Sequence, residues 1–164
     1  MTAAPIMKQI DQLIKLHTSL LQLAEKKTEA ITHNHIEALE KLLNEEQAHV
    51  KAIGQVEKQR QEEVAGFLSR HPDAASSSML DIMEYVPENE KQQLAARREE
   101  LLAITSELKN KNNINQQLIY YSLQYINLTL DVLRPQDAAF NYSKPADAGA
   151  IRRPAKQSMF DSKA

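Results

Sequence analysis

Hydrophobic residues in the first part of the chain recur in alternating steps of three and four, the spacing of one helix face. A first helix is predicted to begin at Pro5, because proline lacks the N–H that would be unpaired in the first turn. Its seam, meaning the line of residues that packs on a partner, is Ile6, Ile10, Leu13, His17, Leu20, Ala24 and Ile31. Further apolar residues widen this seam to roughly 200°, where one neighbour covers little more than about 100°. We therefore expect one helical neighbour to leave part of this helix uncovered.

A second helix is predicted to start after Asn34. Asn34 followed three residues later by Glu37 has the pattern of a helix cap with a reciprocal carboxylate. The helix should end near Arg70, since residues 71–78 are rich in proline, serine and aspartate and favour turns. Its expected seam is Ile36, Leu39, Leu43, Val50, Ile53, Val56, Val64 and Phe67. Residues 79–86 are predicted to form a short helix.

From about Glu88 to Leu133 the pattern predicts one helix of ~45 residues, or ~67 Å at 1.5 Å per residue. We expect this helix to pack antiparallel against the first two, because it is too long to be stable alone. Residues 110–117 are mostly amides, which either set the register between packed helices or bind a partner's backbone. We favour the first, an established use of buried amides. The last turns again carry an apolar arc of roughly 220°.

These patterns together predict an all-α protein. Its helical domain, residues 1–134, should be an elongated antiparallel bundle or coiled coil of three long helices and a short one. From residue 135 the composition changes to Ala, Asp, Asn, Ser, Lys and Pro, and we expect residues 135–164 to form a flexible C-terminal tail. Two pairs of apolar anchors interrupt this tail, Phe140 with Tyr142 and Met159 with Phe160.

Composition and motifs point away from enzymes and cofactors. A net charge of -2 provides no basic field for nucleic acid, and the lack of cysteine excludes disulfides and thiolate metal sites. Glu46 and His49 form one Glu-x-x-His pair, whereas a di-iron bundle enzyme needs two pairs and two more carboxylates. His33 and His35 lack a third ligand at metal-site spacing. With only three glycines, no phosphate-binding loop can be built. We expect no enzymatic activity, no metal and no other cofactor.

The chain also lacks the usual membrane signals. Its first residues do not combine a basic cluster with an unbroken apolar core, so they do not resemble a secretion signal. No run approaches the roughly 18 to 20 apolar residues of a membrane-spanning helix. We therefore expect a cytoplasmic protein without membrane insertion.

The apolar excess on the first and last helices has two explanations, which the pattern leaves about equally open. Either the bundle or a dimer buries both flanks, or a groove accepts an amphipathic helix from another protein. Tyrosines suit the second explanation, since each combines a large apolar body with a polar end. The partner-binding residues would then be Leu118, Tyr121, Tyr125, Ile126, Leu128 and Val132.

Three groups of residues carry a resemblance to a known family. They are residues 34–47 (NHIEALEKLLNEEQ), residues 112–119 (NNINQQLI) leading to 122–126 (SLQYI), and the tail segments 140–143 (FNYS) and 160–164 (FDSKA). In this order and spacing they resemble the FlgN-type chaperones of flagellar export, in particular those of Gram-positive bacteria. The resemblance extends over nearly the whole chain.

The resemblance implies a chaperone of the flagellar type III secretion pathway that needs neither ATP nor metal. Its clients would be the hook-filament junction proteins FlgK and FlgL, bound through C-terminal helical segments that otherwise self-associate. It would dock on the cytosolic domain of the export gate FlhA, with Phe140 and Tyr142 as candidate docking residues, and would be a monomer or weak homodimer. The alternative is a structural coiled-coil protein that self-associates through the same apolar stripes.

Overall fold

The chain folds almost entirely into helices. The computed structural model describes residues 2–71 and 78–134, and within these ranges it contains α1 (Ala4–Thr32), α2 (Ile36–Leu68), α3 (Met79–Tyr85) and α4 (Glu88–Leu133). The predicted all-α class is confirmed. The predicted start of α1 and the predicted bounds of α2, α3 and α4 hold to within two residues. The predicted flexible tail, residues 135–164, lies outside the described residues.

Helix α1 is the central helix of the bundle. It packs against both α2 and α4, whereas no α-carbons of α2 and α4 lie within 8 Å of each other. The side chain of Lys27 meets that of Glu46, and Ser19 meets His49, so α1 and α2 are antiparallel and form a helical hairpin.

Helices α1 and α4, by contrast, run parallel. Asp11 pairs with Arg97 and Thr28 with Asn115, which are separations of 86 and 87 positions. The prediction that α4 would be antiparallel to both earlier helices is therefore wrong for α1. The chain reverses direction twice between α1 and α4, and two reversals restore the original direction.

The main hydrophobic core lies at the proximal end of the bundle, where the start of α1, the end of α2, α3 and the start of α4 meet. Its buried members include Ile6, Ile10, Phe67, Ile82 and Leu94. Each such side chain contributes roughly 1.5–3 kcal/mol when it leaves water. A smaller cluster further along α1 contains Leu20, Leu23, Ala24 and Leu108. The best-packed part of the molecule is thus at its proximal end.

The turn between α1 and α2 is closed by backbone hydrogen bonds of the Schellman type. The N–H of His35 donates to the carbonyl of Ala30 (2.9 Å), and that of Asn34 donates to Ile31 (3.2 Å). Asn34 has a φ of 54°, in the left-handed region that asparagine tolerates better than most residues. The predicted role of Asn34 as the N-cap of α2 is therefore wrong. The N-cap of α2 is His35, whose side chain makes no capping hydrogen bond, and Asn34 instead terminates α1.

The two neighbours of α1 cover its apolar arc. Within α1, all of which is described, no large hydrophobic side chain is exposed. The arc of α1 was predicted to need more than one neighbour, and α1 has two. Of the two explanations for the apolar excess, burial of both flanks within the bundle holds for this helix.

Helix α4 extends beyond the end of α1 at the end of the bundle opposite the main core, which we call the distal end. Continuing the offset between Thr28 and Asn115 places Ile119 opposite Thr32, the last residue of α1. Residues 120–133 therefore project beyond α1 by about 21 Å at 1.5 Å per residue.

No helix of the described part combines the length and the apolarity needed to cross a membrane.

Candidate functional site

The distal segment of α4, residues 118–133, exposes a continuous set of large apolar side chains. Single exposed hydrophobic residues are normal on protein surfaces, but a contiguous patch of this kind marks an interaction site. The exposed residues are Ile119, Tyr120, Tyr121, Leu123, Tyr125, Ile126, Leu128, Leu130, Val132 and Leu133. The expected excess of apolar surface on the last helix is thus present in the folded chain.

These side chains form two faces of the helix. The hairpin-side face, Ile119, Ser122, Leu123 and Ile126, is directed toward the end of the α1–α2 hairpin. The outer face consists of Leu118, Tyr121, Tyr125, Leu128 and Val132. At 100° per residue the centres of the two faces lie about 130° apart around the helix. One straight helix packed on α4 would therefore not cover both faces.

The hairpin-side face forms one wall of an apolar groove of about 220 Å³. Ala30 and Ile31 of α1 contribute to the groove, and Ile36 and Leu39 of α2 form part of the opposite wall. The side chain of Ile36 is 76% exposed, although isoleucine is among the residues most often buried. Among the described residues the groove is thus an open apolar site at the distal end of the bundle.

The structure divides the predicted partner-binding residues between the two faces. Tyr121, Tyr125, Leu128 and Val132 are exposed together on the outer face, where Leu118 is half-buried. Ile126 lies instead in the groove. Phe140 and Tyr142, predicted to dock on an export gate, lie outside the described residues.

Sequence reasoning missed the part of the groove that α2 contributes, namely Ile36 and Leu39, which had been assigned to an ordinary packing seam. The α4 wall could have been found from a seven-residue repeat. Leu94, Leu101, Leu108 and Asn115 lie seven residues apart, and the next position of this series is Ser122. Its flanking positions are Ile119 and Ile126, so the seam that packs on α1 continues past the end of α1.

The electrostatics of the distal segment are unusual for an exposed helix. Residues 112–130 contain no charged side chain. The polar side chains of these residues carry hydroxyls and amides. For example, Gln124 Nε2 donates a hydrogen bond to the Tyr120 hydroxyl across 2.7 Å. As far as residue 130, a partner can therefore be recognised by apolar contact and by neutral hydrogen bonds, and the charge of this segment is confined to Asp131 in its last turn.

Glu46 and His49, which form the Glu-x-x-His pair, both have hydrogen-bond partners within the protein. Glu46 accepts a hydrogen bond from Lys27 Nζ at 2.8 Å. His49 has Nδ1 2.8 Å from the Glu45 carbonyl and Nε2 2.7 Å from the Ser19 hydroxyl, so both ring nitrogens have hydrogen-bond partners within the protein. Across residues 2–71 and 78–134, no three His, Cys, Asp or Glu side chains are grouped to hold a metal ion.

Comparison with known proteins decides the family. The family model described as "FlgN protein" matches residues 1–149, which include all four helices. The chain belongs to the FlgN family. Along its full 164 residues it is also 34% identical to "Uncharacterized protein YvyG" of Bacillus subtilis (strain 168), and the match covers all of both chains. No solved structure matches the chain.

Family membership confirms the resemblance seen in the sequence and defines the general function. The FlgN family is a chaperone family and not an enzyme family, so the chain is a flagellar export chaperone in the general sense. Its partners are flagellar hook-associated proteins as a class.

Proposed function

We propose that this FlgN-family chain is a cytoplasmic chaperone for the hook-filament junction proteins FlgK and FlgL. It binds their C-terminal helical segments, prevents premature assembly and delivers them to the flagellar type III export gate. The observation that supports this function is the projection of α4 beyond α1, with apolar side chains exposed on both of its faces.

The client surface in this proposal is the distal segment of α4. Its principal residues are Leu118, Tyr121, Tyr125, Ile126, Leu128 and Val132. Burial of ~1,000 Å² of apolar area at ~25 cal/mol/Å² corresponds to a gross gain of ~25 kcal/mol. Loss of translational freedom and side-chain ordering offset much of this gain.

The distal segment is suited to this task because its helix is already formed. A free peptide of about 14 residues is only marginally helical, since the first helical turn is costly to nucleate. Here the segment continues a 46-residue helix whose proximal part is anchored in the main core. The client therefore meets a preformed helical surface, and the chaperone has little ordering entropy to lose.

Delivery to the gate involves the tail in this proposal. Phe140 and Tyr142, apolar anchors in an otherwise polar segment, dock on the cytosolic domain of FlhA. Placing the docking residues on the tail separates them in sequence from the client surface. One chaperone molecule can then hold its client and contact the gate at the same time, without ATP or metal.

Calorimetry and sedimentation of the full chain test this function. Titration with a C-terminal helical segment of FlgK or FlgL should give a saturable one-to-one complex. Sedimentation of the chain alone at low concentration should show a monomer or a weak dimer. A stable oligomer that ignores both segments would favour the alternative, a structural coiled-coil protein that self-associates through the same apolar surface.

A further inference from the structure

The α1-facing seam of α4 does not stop where α1 stops. Asn115 faces α1 and bonds to Ala24 and Thr28, while Ile119 and Ile126, further along the same side, line the groove. From Asn115 the steps to Ile119, Ser122, Ile126, Thr129 and Leu133 are four, three, four, three and four residues. This is the spacing that packs one helix against another. The α4 side of the α1–α4 interface therefore continues for about four turns beyond α1, and no helix among residues 2–71 and 78–134 packs on it.

Helix α1 cannot fill this space itself. The left-handed conformation of Asn34 and the hydrogen bonds around it end α1 and turn the chain into α2. Helix α2 then runs back toward the proximal end and contributes only its first turn to the groove, through Ile36 and Leu39. The vacant position is bounded by the end of the hairpin on one side and by α4 on the other.

We propose that the groove receives one amphipathic helix of the client, which packs along α4 where α1 ends and contacts both Ile36 and Leu123. This inference rests on the proposed function and adds to it the position of a client helix. It joins α2 and α4, whose α-carbons nowhere come within 8 Å of each other, into one binding site. The outer tyrosine face, about 130° away around α4, is left for another part of the client.

The chemistry of the groove determines the kind of helix that fits. Its contact side must be apolar with a repeat of three and four residues, to match Ile119 and Ile126. Where it meets α4 it should also be uncharged, because residues 112–130 offer no charged group to pair with a buried ion. Opposite Ser122 a small or hydrogen-bonding residue is expected, as Thr28 lies opposite Asn115 in the α1–α4 interface.

Cysteine protection tests whether the client covers the groove. The chain has no cysteine of its own, so each single variant carries one reporter thiol. The variants are Ile36→Cys and Leu123→Cys in the groove, and Gln55→Cys as a control about 28 Å along α2 from Ile36. Ile36 and Leu123 are 76% and 54% exposed, so these substitutions remove little packing. Circular dichroism confirms that each variant is folded.

The rate of thiol alkylation is measured in the full chain, with and without a saturating C-terminal segment of FlgK or FlgL. We expect at least about a tenfold slower reaction at Ile36→Cys and Leu123→Cys, since packed helices exclude the reagent, and no change at Gln55→Cys. If calorimetry shows binding but the Ile36→Cys thiol reacts at its free rate, the inference is wrong while the proposed function stands. If neither segment binds the unmodified chain, both fail.

Discussion

Asn115 of α4 donates a hydrogen bond from Nδ2 to the backbone carbonyl of Ala24 in α1, across 2.9 Å. Its Oδ1 accepts a second bond, of 2.6 Å, from the Thr28 hydroxyl. Asn115 is 1% exposed and is the one buried polar side chain among residues 2–71 and 78–134. A shift of α4 along α1 would leave this amide buried without partners, so Asn115 disfavours other registers. This supports the interpretation that an amide of residues 110–117 sets register.

Removal of the Asn115 amide should destabilise the bundle. We expect Asn115→Ala to lower the free energy of unfolding by about 1–3 kcal/mol, because it removes two buried hydrogen bonds and leaves a small cavity. Urea unfolding of Asn115→Ala, Thr28→Val and the double variant measures the coupling between the two side chains. A coupling of about 0.5 kcal/mol or more is expected. Fully additive effects would show that Thr28 and Asn115 do not act together.

Much of the fold could be predicted from hydrophobic spacing, because each long helix repeats its pattern over many turns. The hydrophobic pattern does not give the direction of α4 relative to α1, since an apolar stripe packs on a parallel or an antiparallel neighbour alike. The two reversals of the chain between these helices give it, and they make α1 and α4 parallel. The register could not be predicted, because a sequence does not show which carbonyl lies opposite the Asn115 amide. Asn34 was misassigned because asparagine suits both an N-cap and a left-handed C-terminal position.

The backbone conformation of Asn34 gives a second prediction. Asn34→Gly should be neutral or stabilise the chain by up to about 1 kcal/mol, because glycine adopts positive φ without steric cost. Asn34→Val should destabilise it by about 1–2 kcal/mol, the cost of the left-handed region for a residue with a β-carbon. Both variants lose the asparagine side chain, so their difference isolates the backbone. Equal unfolding midpoints in urea would contradict the assigned turn.

The Glu57–Arg60 pair on α2 gives a prediction about pH. The hydrogen bonds from Arg60 lower the pKa of Glu57, against the opposing effect of partial burial. Because the pKa of Glu57 is lower in the folded chain than in the unfolded chain, where it is about 4.3, the Glu57–Arg60 pair stabilises the fold at pH values above about 4.3. This contribution is lost as the pH falls through the folded-state pKa of Glu57.

Arg60→Met should therefore cost less than about 1 kcal/mol at pH 7, because the Glu57 carboxylate is partly exposed to water. The difference between wild type and variant in urea unfolding should shrink below about pH 4, as Glu57 becomes protonated. Lys58→Met, which alters an exposed pair in the same helix, provides a control. A difference that grows toward low pH would contradict the sign of this argument.

Docking on the gate can be separated from client binding by substitutions in the tail. In the full chain, Phe140→Ala with Tyr142→Ala should weaken binding to the cytosolic domain of FlhA by about tenfold or more, as loss of two aromatic anchors usually does. Binding of a FlgK or FlgL segment should be unchanged. Phe160→Ala tests whether any aromatic residue of the tail has the same effect. If the double variant loses its client instead, the division of roles is wrong.

The candidate site could be predicted only in part, because the hydrophobic pattern of α4 does not show which of its sides the rest of the chain covers. A wide apolar arc shows that a helix needs several neighbours but does not say which side the chain covers. The sequence pointed to Tyr121 and Tyr125, both of which are exposed. It did not show that Ile126 would share a groove with Ile36, because that pairing depends on where α1 ends and on the turn at Asn34.

The most direct test of the account introduces charge on the outer face of the distal segment. Tyr125→Asp with Leu128→Asp places two carboxylates where client helices are proposed to pack. Gln124→Asp with Asn127→Asp, at exposed polar positions of the same turns, provides a control of equal charge. Calorimetry of the full-length variants with the FlgK or FlgL segment measures the effect, and circular dichroism confirms helicity.

We expect the first pair to weaken binding at least about 100-fold, or about 2.8 kcal/mol at 1.4 kcal/mol per factor of ten, because carboxylates resist transfer out of water. The control pair should change the affinity by less than about threefold, since exposed charges interact weakly through solvent. Undiminished binding by Tyr125→Asp with Leu128→Asp would contradict the proposal that the outer face of α4 holds the client.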